Sequence, residues 1–422
     1  MNKKRITALI GAGATMDIGG IDSRKLTEEV IEINPLLKKI YSAMNEKNPN
    51  INFEDIMNAL EILLSMKARD NQSQKPTPWI AFVELNSYFK DESTKDILTA
   101  HQELLLTIAK IINVYDKALK FKDENKFFID FWQSSTEKNP WDIITLNYDT
   151  CLEQCLAGKF VDGFSSPEKV MGIYVGAGKK FESPLASRFE PHLLEKVGDY
   201  SRIMHLHGAV NFANATPNDD PNKYVFREKS DDDMYKYPSY EQARVNWYKW
   251  NAFQNSNQAR EIIFNDPIIS GLKKPDKLLT VYPYAYYFYE FHRAIISNQS
   301  LFIVGYSFGD DYLNNLLLRM AEFHGDSRRV VVVTYWDMEK ILAAAKYKVD
   351  REDVFMENEF AVYSRLMQEE FAEIFSKARF KMYDWRKRGM LESEDHCVRI
   401  YFEGLKSAVI DHNEEILEFL NS

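Results

Sequence analysis

The chain has 422 residues, 45% of them hydrophobic, enough to bury one large core with appended elements. Its 63 acidic against 53 basic side chains give a net charge of -10 with no long Lys/Arg block, which argues against direct nucleic-acid binding. No stretch reaches the roughly 20 apolar residues of a membrane-spanning helix. The only cysteines, Cys151, Cys155 and Cys397, lack the C-x-x-C spacing of a zinc site or redox dithiol, so no zinc and a reducing cytoplasm are expected.

In chain order, Ile6 to Ile10 reads as a buried strand running onto Gly11-Ala12-Gly13-Ala14-Thr15. The basic residues before it give the start a likeness to a short signal peptide, but the apolar stretch is brief and stops on a glycine loop. Glycines there let backbone approach a pyrophosphate, with a following helix N-terminus supplying amides. A turn needing glycine for steric reasons alone reads equally well. The G-x-G-x-x-G fingerprint would want glycine where Met16 stands, which disfavours a hydride-transfer dehydrogenase.

Residues 24–140 read as a mainly helical insertion. Phe53, Ile56, Met57, Leu60, Leu63 and Leu64 recur at helical spacing behind Asn52, and Leu104, Leu105, Ile108, Ile111, Ile112 and Tyr115 make a second stripe, with a loop over 70–79. A strand from Ile143 to Leu146 then ends on Asn147-Tyr148-Asp149. The amide and carboxylate share one side of an extended chain and can face one ligand, or can cap the next helix. On that helix Cys151 and Cys155 read as small buried thiols.

The next strand, Ile203 to Leu206, ends on His207-Gly208. His205 and His207 have the spacing of a metal pair, but no third-ligand motif accompanies them. Asp219, Asp220 and Asp231 to Asp233 read as a solvated loop without EF-hand spacing. Tyr284, Tyr287, Phe288 and Phe291 form one face of a helix. Leu301 to Val304 runs onto Gly305-Tyr306-Ser307-Phe308-Gly309, a literal G-x-S-x-G, which keeps a serine hydrolase open although only His324, His396 and His412 lie downstream.

After a last strand, Val330 to Val333, the chain beyond Asp337 reads as charged and helical, with a basic knot at Arg386-Lys387-Arg388 and an amphipathic end from Ile400 to Leu420. Four apolar runs each stopping on a compact polar motif predict an α/β fold: a Rossmann-like, doubly wound parallel sheet with chemistry at the carboxyl ends of its strands. The expected organisation is a domain over 1–337, holding the large helical insertion, and a mainly helical C-terminal extension over 338–422.

The ordered set of glycine loop, T-x-N-x-D, H-G and G-x-S resembles the sirtuin NAD-binding domain. The blocks L-I-G-A-G-A, T-L-N-Y-D, H-L-H-G and V-G-Y-S-F-G-D-D-Y-L-N look like the bacterial sirtuin-like domains of anti-phage defence proteins, over residues 5–337. The resemblance implies that Gly11, Ala12, Gly13 and Thr15 line the phosphates and that Asn147 holds the nicotinamide ribose and the attacking water. It implies that Asp149 binds the nicotinamide amide and His207 is the general base. Gly305 and Ser307 would contact the adenosine phosphate side, and Thr334 would approach the adenosine ribose. The activity implied is NAD hydrolysis to nicotinamide and ADP-ribose, with NAD as substrate and no further cofactor, in a gated defence effector. The implied partners are further copies of the chain and a HerA-type ATPase. Leu146 stands where protein-deacylating sirtuins carry glutamine, and their four-cysteine zinc module is absent. Both features count against a deacylase, which stays open beside a non-catalytic NAD or ADP-ribose sensor.

Overall fold

The computed structural model describes residues 4–49, 51–70, 88–118, 123–169, 185–195, 198, 200–214, 234–247, 267–268, 278–335, 389–393 and 395–422. Its centre is five strands buried on both faces: β1 (Ile6–Ile10), β2 (Trp141–Thr145), β6 (Ser201–His205), β9 (Ser300–Val304) and β10 (Arg329–Val333). Near-continuous apolar runs such as Val330 to Val333 suit strands covered by helices on both sides. With β3 (Phe160–Val161), β11 (Met390–Glu392) and β12 (Val398–Tyr401) they make an eight-stranded sheet of order β11-β12-β10-β9-β1-β2-β6-β3. Every neighbouring pair is parallel except β11 with β12.

Alternate residues of these strands feed two cores, as a period of two requires. Leu9, Ile144, Met204, Ile303 and Val332 pack with α9 (Tyr284–Ser297) and α10 (Asp311–His324). Ile10, Ile143, Ile203, Phe302 and Val331 pack with α5 (Lys126–Lys138), α6 (Cys151–Leu156) and α11 (Gly404–Asn421). The sheet is therefore doubly wound. Tyr284, Tyr287, Phe288 and Phe291 are buried on one face of α9, as their spacing requires.

Between β1 and β2 lie α1 (Ser23–Ile31), α2 (Pro35–Asn45), α3 (Phe53–Asp70), α4 (Thr94–Ala118) and α5. Residues of α1 to α4 share a core of their own, joined by Tyr148 and Val210 from the sheet side. A second, antiparallel sheet of order β4-β5-β8-β7 is formed by β4 (Glu168–Lys169), β5 (Leu185–Arg188), β7 (Phe212–Asn214) and β8 (Met234–Lys236). At the amino ends of the central strands Asp142 accepts from Arg5 at 2.7 Å and from Arg202 at 2.6 Å, and Arg202 also pairs with buried Glu290. Burial alone would raise the Asp142 pKa, but these cations hold it below the ordinary value.

The helical expectation for the C-terminal region is corrected in part. Ile400, read as the start of an amphipathic helix, lies in β12, which pairs in parallel with β10; the helix begins at Gly404. The edge of β10 offers unpaired backbone groups that a short alternating segment, Val398-Arg399-Ile400-Tyr401, satisfies. The described residues after 388 thus complete the central sheet, so a boundary at 337 divides it. Most of the predicted 70–79 loop, the 219–233 acidic residues and the 386–388 basic knot lie outside the described residues.

Candidate active site at the carboxyl ends of the central strands

Register decides which motifs meet. Ile10 pairs with both Thr145 and Val304, Thr145 pairs with His205, and Val304 pairs with Val333. Five strands therefore end flush, and the loops carrying Gly11, Asn147, His207, Gly305 and Thr334 emerge along one edge. Open α/β sheets bind ligands at such an edge.

The first and fourth loops interlock through backbone. Gly13 N–H donates to the Gly305 carbonyl at 2.9 Å, and Gly11 N–H to Val304 at 2.9 Å. A Cβ on Gly11 would lie 2.5 Å from the Gly305 oxygen and one on Gly13 2.8 Å from the Gly305 Cα. Gly305 itself has φ 63°, the left-handed region, and its Cβ would lie 2.0 Å from the Ala14 nitrogen. Packing of β1 against β9 accounts for all three glycines. The helix after the glycine loop is a 3-10 helix, Ala12–Ile18, and the Thr15 hydroxyl donates to the Ala12 carbonyl at 3.1 Å. Ala12 and Gly13 are exposed on this loop, while Thr15 is buried.

Asn147 follows β2 and is only 7% exposed. Its N–H donates to the Thr145 hydroxyl at 3.1 Å, and its carbonyl faces His205 Nδ1 at 3.2 Å. Its side-chain amide hydrogen-bonds to none of the described residues. An amide at this edge that no described residue engages is a candidate ligand group. Asp149 Oδ1 accepts from the Cys151 N–H at 3.0 Å, an Asx turn that leads into α6, whose N-cap position is Thr150.

His205 and His207 have the spacing of a metal pair, but both ring nitrogens of His205 are engaged within the protein. Nε2 lies 2.8 Å from Glu153 Oε1, and Glu153 in turn meets Lys236, which also pairs with Asp162. Burial disfavours charge on each group, but mutual attraction outweighs it: Glu153 is held at about 2, while His205 and Lys236 stand above their ordinary values. A doubly protonated His205 donates to the Asn147 carbonyl and so fixes that backbone. Glu153 carried no legible motif; its place one turn into α6 could be read, its partner on β6 could not.

His207 is 5% exposed, and its Nε2 lies 3.6 Å from Asp310 Oδ2. Asp310 caps α10. Ser307 is exposed on the same loop. The left-handed residues there are Gly305 and Phe308 rather than Ser307, and among the described residues no histidine hydrogen-bonds Ser307. His324, His396 and His412 instead pair with Ile295, Glu392 and Glu415, so no serine triad is assembled. Thr334 is half-buried, its backbone tied to Tyr401 and Gly404 at 2.8 and 2.9 Å.

Among the described residues, the one group with metal-ligand geometry is Asp326, Asp395 and Cys397, before β10 and β12 and hence at the opposite edge of the sheet. Arg328 already pairs with Asp395 at 2.8 Å. No helix among the described residues is long and apolar enough to cross a membrane.

No curated protein matches the chain. The model of the SIR2-like domain family matches residues 142–352, half of the chain, and so covers the loops of Asn147, His207, Gly305 and Thr334 but not the Gly11 loop. A mostly parallel, doubly wound sheet with its motif loops on one edge fits that match, and NAD-related chemistry is what such domains carry out. The chain belongs to the SIR2-like domain family.

Proposed function

We propose that the protein is an NAD glycohydrolase releasing nicotinamide and ADP-ribose. The observation that carries the reading is the buried Asn147 side chain, uncommitted among the described residues, on a backbone braced by His205. In the reaction the bond from the ribose C1′ to the pyridinium nitrogen breaks, and its electron pair neutralises the ring. The water oxygen bonds to C1′ and its proton passes to His207. The leaving group departs neutral, so no strong acid is needed to protonate it. Asn147 orients ribose and water; Asp149 lies beside the nicotinamide amide. The oxocarbenium-like centre is stabilised by fixed dipoles and by holding the water on its open face. Gly11, Ala12, Gly13, Thr15, Gly305 and Ser307 lie along the phosphates, and Thr334 near the adenosine ribose.

Unchecked NAD loss would harm the host cell, so activity is gated by oligomerisation or a partner. In an anti-phage setting a HerA-type ATPase would be that partner. Leu146, whose side chain cannot hydrogen-bond a ribose hydroxyl, favours hydrolysis over deacylation.

The test is product analysis with NAD, with and without an acetylated peptide and with the partner or trigger present. Nicotinamide and ADP-ribose should form regardless of peptide, and Asn147→Ala should abolish turnover with little change in thermal unfolding. Acetyl-ADP-ribose formed only with peptide would establish the deacylase instead. Bound but intact NAD would point to a sensor.

A further inference from the structure

His207 and Asp310 follow β6 and β9, which are separated in the sheet by β2 and β1, so two distant loops meet at this contact. We propose that Asp310 is a positioning residue for His207. It holds the ring in the tautomer that carries its lone pair at Nδ1 and stabilises the imidazolium formed when His207 takes the proton. This deepens, and rests on, the NAD-cleavage reading.

The carboxylate is held more firmly than a helix cap requires. Its Oδ1 accepts from the Tyr312 and Leu313 amides at 3.1 and 3.3 Å, leaving Oδ2 as the oxygen that faces His207. The Asp310 N–H donates to the Tyr306 hydroxyl at 3.3 Å, and that hydroxyl donates to Asn314 Oδ1 at 2.8 Å. Asn314 Nδ2 donates to the Phe308 carbonyl at 2.7 Å. This clasp holds Phe308 at φ 58°, a conformation costly for a bulky residue. Strained backbone retained two residues before a carboxylate that faces a buried histidine points to function.

The 3.6 Å separation is an ion-pair distance, and catalytic hydrogen bonds often tighten when substrate binds. Other charged groups among the described residues near this edge have partners of their own: Asp149 accepts from the Cys151 N–H, His205, Glu153 and Lys236 pair among themselves, Asp17 accepts from the Lys406 N–H at 2.8 Å, and Glu54 accepts from the Tyr148 hydroxyl at 3.3 Å. A carboxylate on one ring nitrogen raises the basicity of the other and fixes its tautomer.

Asp310→Asn separates this role from capping, because asparagine caps helices as well as aspartate. In the full-length variant, NMR titration of the His207 ring should show its pKa falling by about 1. The acid limb of kcat/KM should move to lower pH as the base becomes weaker, and kcat should drop at least roughly tenfold, a typical general-base contribution being 10²–10⁴. The unfolding midpoint should stay close to that of the parent. Asp310→Ser, another good cap, provides the same comparison should the asparagine variant fail to fold. An unmoved His207 titration overturns the proposal, as does an unmoved rate profile in an active enzyme. If the parent protein does not cleave NAD, the function reading fails, and the NMR titration still decides whether Asp310 governs His207.

Discussion

The interlock of Gly11, Gly13 and Gly305 yields a graded stability prediction. Gly19→Ala tests backbone conformation alone: φ is 94° and a Cβ would meet nothing within 4 Å, so the expected loss is about 1 kcal/mol. Gly11→Ala tests the clash alone. Its φ of -109° suits alanine, but the Cβ would lie 2.5 Å from the Gly305 oxygen and 2.8 Å from the Tyr306 Cα. Both contacts are backbone in a packed sheet, and overpacking of this kind costs about 1–3 kcal/mol. Gly305→Ala combines the two penalties, with φ 63° and a Cβ 2.0 Å from the Ala14 nitrogen and 2.4 Å from the Gly13 carbonyl carbon, giving about 2–5 kcal/mol. Gly309→Ala is the control, its nearest contact being the Ser307 Oγ at 3.6 Å. Thermal unfolding without ligand should rank the losses Gly305 > Gly11 > Gly19, with Gly309 lowest. If Gly305→Ala and Gly11→Ala unfold like the parent but lose NAD binding, the glycines serve ligand approach and the packing argument is wrong.

Asp142→Ala should cost about 3–5 kcal/mol, because it leaves Arg202 buried with half its compensation; a loss below 1 kcal/mol by denaturant titration would show that the network relaxes freely. Glu153 contributes stability above its ordinary 4.5 that disappears as pH falls toward about 2, whereas His205 contributes below 6.5 and that share disappears as pH rises through its elevated folded value. The deficit of Glu153→Gln should therefore peak between pH 4.5 and 6.5; a pH-independent deficit in unfolding scans would contradict the pairing. Ser307→Ala should weaken NAD binding by calorimetry while leaving turnover measurable; lost turnover with intact binding would instead make Ser307 a nucleophile. Elemental analysis of chelator-treated protein should find no stoichiometric zinc, and one zinc per chain would reopen the acidic group around Cys397.

Sequence alone determined the fold class and the positions of the motif loops. Five β-rich apolar runs, from Ile6 to Ile10 through Val330 to Val333, are too continuous for half-exposed strands, and the first four stop on compact polar motifs. Local chemistry also made the turn of Asp149 into the next helix readable, because such a turn needs only the next few residues of chain. What sequence left open depended on contacts far apart in the chain. The glycine loop read equally as phosphate site or tight turn until Gly305, nearly 300 positions on, was found against it. The His205–Glu153 pair and the His207–Asp310 approach join loops whose meeting is set by strand order and flush register. β12 misread as helix for the same reason: a four-residue segment has too few residues to fix a period, and only the open edge of β10 made it a strand.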